Sequence, residues 1–195
     1  MRGWGQVIAN YLPKNIYLFN EARCGASTKT YPLELWRKIL AARVDYVLIQ
    51  FGHNDSHAKE TPEAADSAVA YPNNLWRYIQ EARAAHIVPV LVTPVRRRTY
   101  TNGRATAELA PYADAMKRVA AELDVPLIDL HTASEVLYNE LGEAGTDAFT
   151  VNITDNADRP GADDRTHFTE TGAHAIARLV APDLLKICAG LCSVK

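Results

Sequence analysis

Two short polar segments of the chain carry residue types that together could perform acyl transfer. Gly52-His53-Asn54-Asp55 follows a long apolar run, and Asp164-Arg165-Thr166-His167 precedes the last helical pattern. A carboxylate three residues before a histidine can hold one imidazole nitrogen and leave the other to act as a general base. An asparagine amide just beyond a buried strand can donate a hydrogen bond to an oxyanion. These types and spacings predict a site that cleaves esters.

Both segments also have a purely structural interpretation. Asn54 and its neighbour Asp55 could only cap a turn, and Asp164 could cap the helix that follows it, with His167 on the surface. Asp163 competes with Asp164 as the acid, although the three-residue spacing favours Asp164. The two interpretations are open at each segment when it is taken alone.

A third segment, Asn20 to Ser27, follows a predicted strand. Gly25 could present its backbone N–H as a second oxyanion donor, because glycine allows close approach of a ligand; the alternative is an ordinary turn. Ser27 and Cys24 are the side chains of this stretch that could act as nucleophile. The Gly-x-Ser-x-Gly nucleophile motif occurs nowhere in the sequence.

Metal binding is a weaker interpretation of the same regions. Two sets of possible ligands occur, and neither has the spacing of a closed zinc site or a paired-metal site: His53, Asp55 and His57, and Asp163, Asp164, His167 and His174. We therefore expect no metal and no other cofactor.

Short apolar runs alternate with longer stretches of helical periodicity along the chain. We predict strands over residues 15–20, 44–51, 87–92 and 125–130, and helices over 4–12, 32–43, 72–85, 111–123, 134–141 and 169–189. Residues 142–164 are predicted to be loop, and Thr169 is a candidate helix cap, with Gly172 a weak position early in the last helix. This alternation is typical of a doubly wound α/β fold with a parallel sheet, in which chemistry gathers beyond the carboxyl ends of the strands.

Length and composition are those of a globular protein with one sizeable core. The 195 residues are 48% hydrophobic and 23% charged, and the formal charge of -2 argues against a nucleic-acid partner. No apolar run is long enough to span a bilayer. Arg96-Arg97-Arg98 could meet an acidic sugar, but we expect a solvated loop. The three cysteines form no metal or redox motif.

The ordered set of motifs resembles the SGNH hydrolase superfamily, and within it the rhamnogalacturonan acetylesterase branch of carbohydrate esterases. The similar segments run from Gly3-Trp4-Gly5-Gln6 to Asp164-x-Thr166-His167-Phe168 and include Asn20-x-Ala22-x-x-Gly25-x-Ser27, Gln50-Phe51-Gly52-His53-Asn54-Asp55, Thr93-Pro94-Val95-Arg96-Arg97 and Leu127-Ile128-Asp129-Leu130. No single motif is decisive, but the set covers nearly the whole chain in order.

The resemblance implies a flavodoxin-like three-layer α/β/α fold over one domain, residues 1–195. It also implies removal of acetyl groups from pectin-type or related sugars without a cofactor. Carried over by position, Gly25 and Asn54 are the oxyanion donors, His167 is the general base and Asp164 orients it. We expect an acetylated carbohydrate or small ester as substrate, and neither a nucleic acid nor a membrane as partner.

The sequence departs from this family at its start. The branch has a Gly-Asp-Ser-Thr segment on a central strand ahead of the Gly-Trp-Gly-Gln helix, whereas here Gly3-Trp4-Gly5-Gln6 stands at the beginning. We therefore expect an N-terminal truncation relative to the family, repaired by residues 15–20 closing against 44–51, by a strand lent in a homodimer, or by another adaptation of the fold. Localisation is left open: cytoplasmic if the chain is complete, secreted if a signal was lost.

Three functional hypotheses follow. The first is a carbohydrate acetylesterase whose sequence here lacks its start. The second is an esterase of this length that uses another nucleophile, for which Ser27 is the tentative choice over Cys24, because the family-like pattern puts it at the cleft rim. The third is a catalytically impaired relative that binds an acetylated or acidic sugar without cleaving it.

Overall fold

The structure is a computed structural model that describes residues 1–152 and 163–192. The described strands are β1 (Tyr46–Ile49), β2 (Val88–Val92), β3 (Tyr100–Thr101), β4 (Arg104–Ala105), β5 (Leu127–Ile128), β6 (Thr150–Asn152) and β7 (Asp163–Phe168). The helices are α1 (Leu33–Ala41), α2 (Ala70–Ala84), α3 (Ala110–Glu122), α4 (Leu130–Thr146) and α5 (Glu170–Cys192).

These elements belong to two compact units. The first, here called the sheet unit, comprises residues 21–94 and 109–131; the second, the hairpin unit, comprises residues 1–20, 95–108 and the described residues from 132 onwards. The prediction of a single domain stays a prediction.

A parallel sheet of order β1-β2-β5 forms the centre of the sheet unit. Four of the five residues of β2 are buried, as a strand between two neighbours requires, whereas buried and partly buried residues alternate in β1. The predicted α/β class with a parallel sheet is therefore confirmed. The strand predicted over residues 44–51 is shorter in the structure, where β1 comprises four residues.

Three helices place their apolar stripes on a common core in this unit. Trp36 of α1, Leu75 and Ile79 of α2 and Met116 of α3 are buried together with Leu91 of β2. Pro111 lies in the first turn of α3, where its missing N–H costs no helical hydrogen bond. The predicted helices over 32–43, 72–85 and 111–123 are thus confirmed to within two residues at each end.

The hairpin unit contains two antiparallel strand pairs, β3–β4 and β6–β7, and the long helix α5. The Thr169 hydroxyl accepts a hydrogen bond from the Gly172 N–H at 3.2 Å, as expected of an N-terminal cap. A Cβ on Gly172 would lie 2.8 Å from Cβ of Phe149 and 2.9 Å from Cδ1 of Phe168. Gly172 is therefore a close-packing position between α5 and the end of β7, rather than only a weak point of the helix.

The predicted strand over residues 15–20 is wrong, because this segment pairs with no strand in the described parts of the chain. Two of its four apolar side chains are largely exposed, Tyr17 at 87% and Phe19 at 73%. Apolar composition alone predicted a strand, but a strand also needs a neighbour that satisfies its backbone groups.

Other boundaries also differ from the prediction. Residues 4–12 form two short 3₁₀ turns, Trp4–Gln6 and Ile8–Tyr11, instead of one helix. Helix α4 begins earlier and ends later than the predicted 134–141, with non-helical backbone at Gly142. The predicted loop over 142–164 contains β6 and the start of β7; residues 153–162 of that prediction lie outside the described residues. No helix among the described residues has the length and apolar character needed to cross a bilayer.

Candidate active site

Asp164 and His167 form a hydrogen-bonded pair in the hairpin unit. Oδ2 of Asp164 lies 2.6 Å from Nδ1 of His167, and the His167 side chain is 45% exposed while that of Asp164 is 14% exposed. Because a carboxylate accepts hydrogen bonds, this contact favours the tautomer with the proton on Nδ1. Nε2 then carries the lone pair that a general base requires.

A bulge in β7 produces this geometry. Val151 pairs with Asp164 and the adjacent Thr150 pairs with Phe168, so the three residues 165–167 lie between two neighbouring pairing positions. Oδ1 of Asp164 accepts the N–H groups of Thr166 at 2.8 Å and His167 at 2.9 Å. The carboxylate therefore closes the bulge and orients the imidazole at the same time.

The hydrogen bonds of Asp164 also affect its charge state. Partial burial by itself would raise the pKa of this carboxyl, but the N–H groups of His167 and Thr166 and the His167 ring outweigh it, and the pKa is below its ordinary value. Asp164 is consequently a stable anion, which is the state that an orienting carboxylate needs.

The predicted oxyanion donors lie in the sheet unit. Gly52 follows β1 with a φ of 123°, and a Cβ there would lie 3.0 Å from Cγ of Pro94, so both the backbone and the space require glycine. Nδ2 of Asn54 donates to the Ala26 carbonyl at 2.8 Å. One Asn54 N–H thus ties the loop after β1 to the loop that contains Gly25.

Asp55 connects the same two loops from inside. Its buried carboxylate accepts the N–H and the hydroxyl of Thr28 and, at 3.0 Å, the N–H of Gly52. Burial raises the pKa of Asp55, while the donors from Thr28 and Gly52 act in the opposite direction. The Thr28 hydroxyl also accepts the Asn74 side chain at 3.0 Å. The sequence predicted nothing specific for Thr28, and only its place one residue after Ser27 could have suggested a role.

Gly25 and Ser27 differ in what they present. Gly25 is exposed and has a φ of 77°, and no neighbouring atom lies within 4 Å of the position that a Cβ would occupy, so Gly25 itself lies in an open turn. Ser27 is fully buried, and its Oγ accepts the N–H groups of Lys29 and Thr30, both at 3.2 Å. This geometry favours a structural role for Ser27, whose assignment as nucleophile stays a prediction. Cys24 is exposed.

The members of the two suggested metal sets have other partners. His57 Nδ1 contacts Glu63 at 2.7 Å, His174 Nδ1 contacts the Tyr11 hydroxyl at 2.7 Å, and Asp55 is occupied as described above. Among residues 1–152 and 163–192, no three His, Cys, Asp or Glu side chains are grouped so that they could hold a metal ion.

The prediction that residues 96–98 form a solvated loop is wrong. Arg98 is fully buried and Arg96 is 7% exposed, whereas Arg97 between them is paired with the partly exposed Glu108. Arg96 binds Glu135 at 2.6 Å and the carbonyls of residues 105 and 106. Alternate residues of an extended segment point to the same side, so the spacing of Arg96 and Arg98 directly after a buried run was the available signal.

Two known proteins are similar in sequence to this chain over most of its length. Rhamnogalacturonan acetylesterase RhgT of Bacillus subtilis (strain 168) is 38% identical over 189 residues, which cover 93% of this chain and 79% of that protein. The probable rhamnogalacturonan acetylesterase YesY of the same organism is 34% identical over 188 residues, covering 95% of this chain and 84% of that protein.

The fold is also similar to that of a solved structure. Protein YXIM of Bacillus subtilis has a TM-score of 0.78 with 24% identity, and the match covers 94% of this chain and 50% of that one, so this chain spans about half of its length. The pattern of the GDSL-like Lipase/Acylhydrolase family matches residues 1–175. The fold predicted from the motifs, that of the SGNH hydrolases, is thereby confirmed, and the chain belongs to the GDSL-like lipase/acylhydrolase family.

Proposed function

We propose that this protein is a carbohydrate esterase that removes acetyl groups from a pectin-type or related polysaccharide or oligosaccharide. The observation that carries the proposal is the 2.6 Å contact between Asp164 Oδ2 and His167 Nδ1, made by a carboxylate whose other oxygen is held by two backbone N–H groups. Family membership and the two similar acetylesterase sequences support the same reaction class.

The reaction assigns one role to each predicted residue. Nε2 of His167 takes the proton of the attacking hydroxyl, and Asp164 stabilises the imidazolium that forms. The acetyl carbonyl becomes a tetrahedral oxyanion that accepts hydrogen bonds from the Gly25 N–H and the Asn54 amide. Return of the proton to the sugar oxygen releases the alcohol, and water then releases acetate by the same steps. No cofactor takes part.

The nucleophile is the least constrained role of the proposal. Ser27 would have to give up the hydrogen bonds that its Oγ accepts from Lys29 and Thr30 before it could attack an ester. Turnover of Ser27→Ala and Cys24→Ala on p-nitrophenyl acetate tests both residues. If both variants keep the activity of the parent protein, neither side chain is the nucleophile.

The buried Oγ of Ser27 favours a second candidate function, binding of an acetylated or acidic sugar without hydrolysis. The two functions differ in one measurement. Binding of an acetylated oligosaccharide in a calorimeter with no acetate released supports the second, whereas any acetate release that depends on His167 rules it out.

The decisive experiment measures acetate release from acetylated rhamnogalacturonan oligosaccharides by the parent protein and by His167→Ala. We expect removal of the general base to lower kcat by about 10²–10⁴-fold. His57→Ala is the matched control, because His57 is also an exposed histidine paired with a carboxylate, Glu63. Equal activity of His167→Ala and the parent protein would refute the proposed function.

A further inference from the structure

Arg98 is the largest fully buried side chain of the described residues, and it lies against the bulge that carries the Asp164–His167 pair. Its Nη2 donates to the backbone carbonyl of Asp164 at 3.0 Å and to that of His167 at 2.6 Å. Its backbone N–H donates to the Arg165 carbonyl at 3.0 Å. Arg98 thus binds three carbonyls of one bulge, including those of both members of the pair.

Two further contacts, with Thr150 and Phe168, hold the guanidinium in its orientation. Nε donates to the Thr150 hydroxyl at 3.3 Å, and the guanidinium carbon lies 4.5 Å from the centre of the Phe168 ring. Thr150 and Phe168 are the pairing partners that close one end of the bulge. The Arg98 side chain therefore contacts the residue pair at one end of the bulge in addition to binding the carbonyls of the bulge.

A buried guanidinium without a carboxylate partner is expensive to maintain. In the part of the chain that the structure describes, no Asp or Glu carboxylate oxygen lies within 4.0 Å of a side-chain nitrogen of Arg98, whereas Arg96, two residues earlier, has an ion pair with Glu135. If packing alone were required at position 98, an apolar residue would satisfy it at lower cost. We therefore attribute the presence of a charged group at position 98 to its hydrogen bonds with the carbonyls of Asp164 and His167.

We propose that Arg98 is a positioning residue for the esterase reaction, which fixes the Asp164–His167 pair by binding the backbone carbonyls of both residues. The inference rests on the proposed function, since it concerns the same histidine. Asp164 takes the N–H groups of the bulge and Arg98 takes its carbonyls, so the two side chains together replace the strand pairing that the bulge lacks. Without Arg98, no side chain would bind the backbone carbonyls of both Asp164 and His167, and the relative position of the imidazole and the carboxylate would be less well fixed.

Among the basic side chains, arginine is the one whose geometry fits these contacts. The planar guanidinium carries two hydrogens on Nη2 at a fixed angle and can bind two carbonyls at once, while Nε binds a third acceptor. A lysine ammonium is a point charge on a flexible stem and would not reproduce this geometry. Arg98→Lys keeps the charge and removes only the fork, so it separates positioning from simple charge.

The test compares Arg98→Lys with Arg96→Lys as the matched control, because Arg96 is also buried and also binds carbonyls, but those of residues 105 and 106. Hydrogen exchange of the Thr166 and His167 amides is measured without substrate. We expect exchange in Arg98→Lys to be about tenfold faster, as for the loss of one charge-assisted hydrogen bond, and unchanged in Arg96→Lys. This readout needs no esterase activity, so a failure of the proposed function would leave it interpretable.

Activity provides the second readout. We expect Arg98→Lys to lower kcat on acetylated oligosaccharide by about 10²-fold with little change in KM, since misplacement of a general base affects the reaction step. Thr150→Val, which removes the acceptor of Arg98 Nε, should change both readouts in the same direction by a smaller factor and decides the matter if Arg98→Lys does not fold. Unchanged amide exchange in the folded variants, or equal losses in the Arg96 and Arg98 variants, would overturn the inference.

Discussion

Replacing Asp164 with asparagine exchanges one carboxylate oxygen for an NH₂ group and leaves the size of the side chain unchanged. If the remaining oxygen still accepts the N–H groups of Thr166 and His167, the new NH₂ faces Nδ1 of His167, which is 2.6 Å from Oδ2 in the native pair. Nδ1 must then accept a hydrogen bond, and the ring proton moves to Nε2. In that tautomer the imidazole cannot take a proton from a hydroxyl.

We expect Asp164→Asn to lower both kcat and the free energy of unfolding. Loss of the general base lowers kcat by about 10²–10⁴-fold. The two backbone hydrogen bonds change from charge-assisted, worth about 1.5–3 kcal/mol each, to neutral, worth about 0.5–1.5 kcal/mol each, so we expect unfolding to become easier by about 2 kcal/mol. The fall in kcat is therefore much larger than destabilisation alone explains at a temperature where the variant is folded.

The assay measures kcat and KM on acetylated oligosaccharide, together with denaturant unfolding at several pH values. Because the folded-state pKa of Asp164 is below that of the unfolded chain, its stabilising effect is complete above the ordinary carboxyl pKa and is lost as the pH falls through the folded value. The stability difference between the parent protein and Asp164→Asn should accordingly shrink only in that acid range.

Asp163→Asn is the control for this prediction. Asp163 is the neighbouring carboxylate, its side chain is 48% exposed, and its contact with Arg165 is 3.6 Å long. We expect nearly unchanged kcat and stability for it. If Asp164→Asn kept the parent kcat, or if Asp163→Asn lost as much, Asp164 would not be the residue that orients the histidine.

Two further predictions concern the packing around the site. Gly172→Ala should destabilise the protein by about 1–3 kcal/mol, in spite of the helix preference for alanine, because its Cβ would lie within 3 Å of Phe149 and Phe168. Gly190→Ala in the same helix is the control and should not destabilise the protein, because nothing lies within 4 Å of a Cβ at that position. Chemical denaturation of both variants checks this. Asp55→Asn should lower the free energy of unfolding by about 1–3 kcal/mol, because an amide has one oxygen and cannot accept hydrogen bonds from both Thr28 and Gly52 at its two positions. Asp45→Asn is the control, because Asp45 is exposed. Equal unfolding curves for the two variants would contradict the role given to Asp55.

Local signals in the sequence predicted the parts of the molecule that depend on local physics. The continuous apolar run over residues 44–51 identified β1, and the spacing of Asp164 and His167 identified a contact that the structure contains. Both features arise within one segment, where side-chain period and reach are fixed by the backbone. The fold class followed from the alternation of such segments.

Features that depend on distant partners could not be predicted in this way. Residues 15–20 have the composition of a strand, but whether they pair depends on which backbone groups lie beside them. The contacts of Arg98 reach 66 and 69 residues along the chain, to the carbonyls of Asp164 and His167. The spacing of Arg96 and Arg98 after a buried run can indicate that they are buried, but it does not indicate which distant carbonyls Arg98 binds.

The bulge of β7 has a consequence for anyone who wishes to make this protein more heat-resistant. Its shape depends on one acidic and one basic side chain, Asp164 and Arg98, that come from different parts of the sequence. Replacing either of them with an apolar residue would leave backbone N–H or carbonyl groups of the bulge without a hydrogen-bond partner. Libraries that vary positions 98 and 164 separately would therefore be mostly unproductive. Randomising the side chain of Thr166, which bonds to Asp164 only through its peptide nitrogen, offers a safer route to altered properties.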